Sequence, residues 1–300
     1  MQLRVIITDM KSQPDSLRRF LFEHAPVRGE RVHLDTSWRS VLERHDYPPR
    51  LRQMMGELTA AAVLLAATLK LDGSLLLQIQ GTGAITLLVV ECSGDLALRA
   101  TAKWEGELEG SLSELVGDGR FVITLVQKDG KPAYQGIVEL EGESVAEILQ
   151  NYMSRSEQLE TRLWLAVDEY SASGMLLQKL PDQAEDDPDA WSRYTQLADT
   201  LHEDELMQLS TEALLHRLFH EEDVRLFEAQ PVIFNCSCTR DNVAQMLRMF
   251  GAEDVEAMLA ERKIIEVHCE FCNQRYEFDK VDAAQLFSVT PQLATSDTRH

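Results

Sequence analysis

Cys236-Ser237-Cys238 and, thirty residues further on, Cys269-Glu270-Phe271-Cys272 hold four of the chain's five cysteines; only Cys92 lies elsewhere. Two short thiol pairs held apart by a folded insert suit a tetrahedral thiolate site. Each pair reaches one metal from a single turn, and the metal staples two distant turns together. Four thiolates leave no open position, so Cys236, Cys238, Cys269 and Cys272 are expected to hold one structural zinc ion and not a Lewis acid.

Other readings of the cluster fare less well. A thioredoxin-like C-x-x-C needs a strand–helix setting after a parallel sheet, which this stretch lacks. A haem attachment needs His after the second Cys, whereas His268 precedes Cys269. His268 is expected to be a strand neighbour, since four thiols already complete the site. Metal-free buried thiols are a further alternative.

Working outward, the cysteines sit in a closing domain, 231–300. Val243, Met246, Leu247 and Phe250 form a helical stripe ended by Gly251, and Val255, Met258 and Leu259 form a second. Ile264-Ile265-Glu266-Val267 enters the C-x-x-C turn and Arg275-Tyr276-Glu277-Phe278 leaves it as a hairpin. Roughly fifty to sixty folded residues give a marginal core, so the metal has to supply the difference.

Upstream lies a composition break, 181–230, with fourteen acidic residues against three basic ones, a net −11. Trp191, Tyr194, Ala198 and Leu201 share one helical face there. Leu214, Leu215, Leu218 and Phe219 share another, with Ser210 as N-cap. Short helices are marginal alone. The segment reads either as a solvated acidic linker or as helices poised between docking and disorder. His216 and His220 are four apart but have no evident third ligand. His202-Glu203-Asp204-Glu205-Leu206 is not H-E-x-x-H.

The first 180 residues read as antiparallel α+β. A helix is expected from Asp15 through Leu17, Phe20 and Leu21, then a strand at 27–34, a helix from Asp35-Thr36-Ser37 and a nearly all-apolar helix at 51–69 that must be buried between other elements. Glycine turns then separate strands at 74–80, 84–91, 96–104, 120–127 and 134–140. Ser144 caps a helix at 145–155, and strands at 161–168 and 174–180 follow. Gly81-Thr82-Gly83 and Gly117-Asp118-Gly119 lack a dinucleotide-binding context and are expected to be turns. Cys92 ends an apolar strand and is expected to be a core residue. Met1 to Met10 are expected to be detachable, with Met10 able to serve as a start.

A net charge of −21 among 300 residues, with 29 Lys and Arg against 50 acids, works against phosphate backbones and so against a nucleic-acid-binding zinc module. Val5-Ile6-Ile7 is too short for a secretory core. The apolar stretch 58–69 is too short to span a bilayer. The thiols are therefore expected in a reducing cytoplasm. No Ser-His-Asp arrangement or catalytic carboxylate pair stands out, and no enzymatic activity is expected.

Zinc binding in small metal-folded domains is worth about 10–16 kcal/mol, against about 5–15 kcal/mol for a whole domain. Removing the metal should therefore unfold 231–300. An oxidant can close Cys269 with Cys272, or Cys236 with Cys238, each within its own turn. Such bonds remove the ligands yet link only neighbours, and so restore little of the lost constraint. Cys269 with Cys272 is expected to close first, because two intervening residues strain the ring less than one.

The cysteine spacing resembles that of the redox-regulated chaperonin family, the thirty-three-kilodalton heat shock proteins. So do Val27-Arg28-Gly29-Glu30, His45-Asp46-Tyr47-Pro48, Tyr134-Gln135-Gly136, Tyr152-Met153-Ser154-Arg155-Ser156-Glu157-Gln158-Leu159, Gly174-Met175-Leu176-Leu177-Gln178 and His220-Glu221-Glu222. The resemblance runs from about Asp15 to Phe278. It implies an N-terminal α+β domain (1–180) for client binding and dimerisation, a helical acidic linker (181–230) and a zinc redox-switch domain (231–300). It further implies an ATP-independent holdase that is inactive when reduced and zinc-bound. Oxidation, aided by heat or hypochlorite, then releases zinc, forms disulfides Cys236 with Cys238 and Cys269 with Cys272, and unfolds the linker. The active form is expected to be a homodimer that protects unfolding proteins and hands them to ATP-driven foldases.

Overall fold

The computed structural model describes residues 15–69, 71–181 and 187–288; the reading of Met1 to Met10 lies outside these. Two compact units divide the chain, Met1–Asn235 and Cys236–His300.

The first unit opens with β1 (Ser16–Phe22) and β2 (Val27–Leu34), an antiparallel pair with Phe20 opposite Gly29. A Cβ on Gly29 would lie 2.1 Å from the Phe20 ring, so only glycine lets that ring lie flat on the neighbouring strand. The expected helix over Asp15 to Leu21 is therefore corrected to a strand. Leu17 faces the main core, whereas Phe20 and Phe22 face the core on the sheet's other side. Both faces are covered and each also carries an arginine, which hides the period-two pattern. Asp15 does cap a helix, but a distant one. Its carboxylate accepts from the N–H groups of Asp35, Thr36 and Ser37 at 2.6, 3.0 and 2.5 Å, at the start of α1 (Thr36–Leu42).

The long helix α2 (Pro49–Thr68) has Pro at its first position, where the missing N–H costs nothing. It is buried on nearly all sides and packs on strands of both large sheets. Strands β3 (Gly73–Gln80), β4 (Ile85–Ser93) and β5 (Ala97–Trp104) follow, then the short capped helix α3 (Leu112–Val116). Next come β6 (Arg120–Gln127), β7 (Pro132–Val138), α4 (Val145–Arg155) capped by Ser144, β8 (Thr161–Val167) and β9 (Ala172–Lys179). The strands expected from alternation and glycine turns are present within a few residues of their ends. Gly81-Thr82-Gly83 is a turn closed on Val116 O.

The acidic stretch contains α5 (Ala190–Ala198), α6 (Glu203–Gln208) and α7 (Thr211–Phe219). The chain returns through three short strands, β10 (Val224–Leu226), β11 (Gln230–Pro231) and β12 (Ile233–Phe234). One sheet runs β10-β1-β2-β9-β8, with β11 also on β1. The other runs β12-β5-β4-β3-β6-β7. Pairing is antiparallel throughout the two sheets except for β12, which joins β5 in parallel.

The acidic segment is docked, not solvated. Ala190, Tyr194, Ala198, Leu206, Leu214 and Phe219 are buried against Phe20, Phe22, Val27, Met175 and Leu177 on the outer face of the first sheet. Tyr194 stacks on Phe22 with ring centroids 3.9 Å apart. Arginines temper the segment's self-repulsion. Arg193 bridges Asp187 and Glu222, Arg217 meets Glu205, and Arg162 meets Asp199. Beneath it Arg31, 3% exposed, donates to Leu206 O at 3.1 Å and Leu209 O at 2.6 Å.

In the second unit α8 (Arg240–Phe250) and α9 (Ala252–Arg262) pack with the hairpin β13 (Ile265–His268) and β14 (Arg275–Phe278) and with α10 (Lys280–Ser288). Its core is small: Val243, Ala244, Leu247, Val255, Leu259, Ile265, Phe278 and Ala283.

Candidate metal and redox centre

Cys236 and Cys238 lie in the extended segment before α8, and Cys269 and Cys272 form the turn of the β13–β14 hairpin. Local hydrogen bonds fix both turns. Thr239 caps α8, accepting from Asn242 N at 3.1 Å, and the Asn242 side chain donates to Ser237 O at 3.0 Å. Cys269 N donates to Gln274 O at 3.0 Å, and Asn273 N to Cys269 O at 2.8 Å. Asn273 takes φ +54, a left-handed conformation that Asn tolerates better than most residues and that reverses the chain after the second cysteine.

The fold brings all four sulfurs together. Cys236 Sγ is 3.7 Å from Cys269 Sγ, Cys238 Sγ is 3.2 Å from Cys272 Sγ, and all four lie within 4.8 Å of one another. A tetrahedral zinc site with bonds of about 2.3 Å needs sulfurs about 3.8 Å apart, so this donor set fits the ion. The cluster is half-buried and none of its sulfurs is in a disulfide. Among the described residues it is the one group of three or more potential ligands with this closeness.

Four thiols this close cannot all ionise without a cation. Burial opposes the charge at Cys238, but hydrogen bonds from Tyr276 and the neighbouring thiols outweigh it and bring that thiol down to about 7. Burial and a hydrogen bond to Cys238 push Cys272 the other way. Opposite shifts inside one cluster are the behaviour of groups sharing protons. Metal binding expels those protons.

Some contributors are invisible in the cysteine spacing. Tyr276 Oη donates to Cys238 Sγ at 3.2 Å and lies 3.1 Å from Cys238 O. Arg240, at the start of α8, clamps the hairpin. It donates to Glu277 O at 2.7 Å, pairs with Asp282 at 2.8 Å and lies 4.2 Å over the Phe278 ring.

The remaining sequence-level candidates fall into place. His268 engages Glu266 and Asn273, and its pKa is raised chiefly by the Glu266 hydrogen bond. His216 and His220 stack edge to face 6.0 Å apart. Cys92 is fully buried and burial pushes its thiol up to about 12, which makes it an inert core residue. Glu222 of the His-Glu-Glu stretch accepts from Arg193 and Tyr194, joining the end of α7 to α5.

Fold and site together define an α+β protein carrying a small module built on four convergent thiols. A family profile described as "Hsp33 protein" matches residues 15–279. The 33 kDa chaperonin of Methylobacillus flagellatus is 57% identical over 289 residues, 95% of this chain and 99% of that protein. That of Chromobacterium violaceum is 51% identical over 289 residues, 95% of this chain and 98% of that protein. The crystal structure of the Hsp33 homologue of Thermotoga maritima shares the fold, with a TM-score of 0.77 at 21% identity, across 91% of this chain and 97% of that one. The chain belongs to the Hsp33 family. It is therefore a chaperone and not an enzyme, and its partners are unfolded client proteins. No helix among the described residues is long and apolar enough to cross a membrane.

Proposed function

We propose that this chain is an ATP-independent holdase whose capture of clients is controlled by the oxidation state of Cys236, Cys238, Cys269 and Cys272. The observation that carries the reading is the meeting of four cysteine sulfurs within 4.8 Å in a unit whose core holds few buried apolar side chains. In the reduced state the four thiolates hold one zinc ion, which supplies a closed structural cross-link between residues more than thirty apart. Oxidation joins Cys269 to Cys272 and Cys236 to Cys238. Each pair of thiolates gives up two electrons; peroxide takes them with two protons from solvent and leaves as two waters, or hypochlorite takes them with two protons and leaves as chloride and water, and the zinc ion departs. The ligands are then gone and the new bonds are local.

Activation in this reading also requires release of the acidic segment. Lifting α5 to α7 uncovers Phe20, Phe22, Val27, Met175 and Leu177, an apolar sheet face suited to unfolding chains. The N-terminal domain (1–180) is the client-binding and dimerisation part, 181–230 the releasable linker and 231–300 the switch. The active homodimer passes clients to ATP-dependent foldases in a bacterial cytoplasm. The two closest sulfur contacts, Cys236 with Cys269 and Cys238 with Cys272, run between the pairs, so the pairing itself is a point for test.

The decisive experiment measures zinc and free thiols before and after peroxide at mild heat, together with light scattering of a denatured client. The expected change is from one zinc and five thiols to no zinc and the single thiol of Cys92, with aggregation suppressed only afterwards. Zinc retained under these conditions with no gain in client protection overturns the reading.

A further inference from the structure

A cavity of about 290 Å³ opens in the first unit between the C-terminal end of α2, strands β3, β6 and β7, and α4. Its apolar wall includes Leu65, Leu75, Ile123, Leu125, Met153 and Leu159. Its polar groups are Arg28, Thr68, Tyr134, Tyr152 and Glu157. Three of the stretches that marked the family resemblance meet here: Arg28 from Val27–Glu30, Tyr134 from Tyr134–Gly136, and Tyr152, Met153, Glu157 and Leu159 from Tyr152–Leu159. A fourth supplies Gln178, which stands behind Arg28. The thiol switch uses none of them. An apolar pocket with a few convergent polar groups is what small-ligand sites look like.

The charges decide what would fit. Glu157 is already engaged, accepting from Tyr152 Oη at 2.6 Å and Tyr134 Oη at 2.9 Å. Arg28 is not fully used. Its Nε and Nη2 both donate to the neutral Gln178 amide oxygen, at 3.1 and 2.5 Å, and Nη2 lies 3.5 Å from Thr68 O. Its Nη1 has no partner among the described residues. The acid nearest to it in charge terms, Glu30, is 2% exposed and shared with Arg19; burial raises it to about 7, so it does not cancel two guanidinium groups. A half-buried guanidinium beside an apolar cavity calls for an anion carrying an apolar chain.

We propose that this cavity binds a short free alkyl carboxylate, with the chain against Leu75, Ile123 and Leu125 and the carboxylate on Arg28 Nη1. The volume sits at the lower edge of the roughly 300–1,000 Å³ found for ligand pockets, which favours a medium chain over a long one. Titration calorimetry on the reduced, zinc-loaded full chain tests this with hexanoate, octanoate, octanol and octylammonium. Octanoate binds saturably at one site, roughly fourfold tighter for each methylene added to hexanoate. Octanol, without the charge, binds at least about tenfold more weakly, and octylammonium does not bind. Arg28→Gln and the cavity-filling Leu125→Trp each abolish octanoate binding while zinc content stays unchanged and far-ultraviolet circular dichroism stays native. The proposal is overturned by octanoate failing to bind, by octylammonium or octanol matching it, or by both variants binding as the parent does. A short peptide ending in a free leucine carboxylate that binds more tightly than octanoate also overturns it, since the site would then read chain ends and not free acids.

Discussion

At the scale of single residues, the thiol cluster depends on neighbours that hold its donors in place. Tyr276 donates to Cys238 from the strand that follows the C-x-x-C turn. Removing such a partner of a metal ligand typically costs about 10–100-fold in metal affinity. Tyr276→Phe is therefore expected to release zinc to a competing chelator at a correspondingly lower chelator strength, with unchanged helix content. An unchanged zinc affinity would show that the contact is incidental. The order of oxidation also belongs to this scale. Cys269 and Cys272 are expected to close before Cys236 and Cys238, because the larger ring is less strained. Mass mapping of partly oxidised chain reads the order directly.

Glu30 sets a pH dependence at the same scale. It is 2% exposed, and burial first, against the opposing pull of Arg19 and Arg28, raises it from 4.5 to about 7. A carboxyl whose folded pKa exceeds its unfolded value holds its proton more tightly when folded, so its contribution favours the folded state at low pH. That contribution fades as pH rises from about 4.5 to about 7 and is a net cost above it. At about 1.4 kcal/mol per pKa unit the span is on the order of 3 kcal/mol. Melting of the first unit is expected to rise as pH falls from 8 to 5.5, and Glu30→Gln is expected to flatten that rise. An equally steep profile in the variant would assign the effect elsewhere.

Among the elements, the acidic segment is held by apolar contacts and by Arg31. That guanidinium satisfies the carbonyls of Leu206 and Leu209, at the C-terminal end of α6 and in the turn to α7. Burial brings its pKa down to about 10, which marks the cost of keeping a cation there. Arg31→Ala leaves those carbonyls without their donor, at a cost of about 2–4 kcal/mol. Hydrogen exchange is expected to quicken in α6 and α7 while β3 to β6 keep their protection. Client protection is expected to appear in the reduced protein. Unchanged exchange in both helices would show that apolar packing alone holds them.

The elements also show what a sequence reader can and cannot see. The strands from Gly73 to Lys179 were legible because glycine turns punctuate them and the helix starting at Val145 carries its own cap. Strand β1 was not, because Leu17 and Phe20 are three apart as on a helix, and because Arg18 and Arg19 occupy opposite faces of a strand buried on both. Strands β10 to β12 span two or three residues each, too few for any period, and are specified by pairing with β1 and β5. The four thiols were fully legible, since their spacing is itself the signal. Tyr276 and Arg240 were not, because their roles exist only once residues up to 38 apart meet. Docking of the acidic helices was undecidable from charge alone; the aromatic stripe won because Phe22 and Phe20 wait beneath it.

For the whole molecule, the two units differ in what keeps them folded. The first has a large continuous core around α2, whereas the second has only a handful of buried side chains around its thiols. Chelation of zinc from reduced protein is expected to abolish amide protection in α8, α9 and the hairpin and to leave that of β3 to β6 intact. Native protection in the stripped, reduced second unit would show that its apolar core suffices. Cys272→Ser is expected to mimic chelation.

Helices α5 to α7 lie between β9 and β10, and both of those strands are paired into the same sheet on either side of β1 and β2. The segment is thus a strap fastened at both buckles. When it lifts it stays on a leash, and its effective concentration over its own seat remains high. On the proposed reading a client held on that face would compete throughout with an occupant that never diffuses away, so the hold on it would be graded by how strongly it displaces the strap.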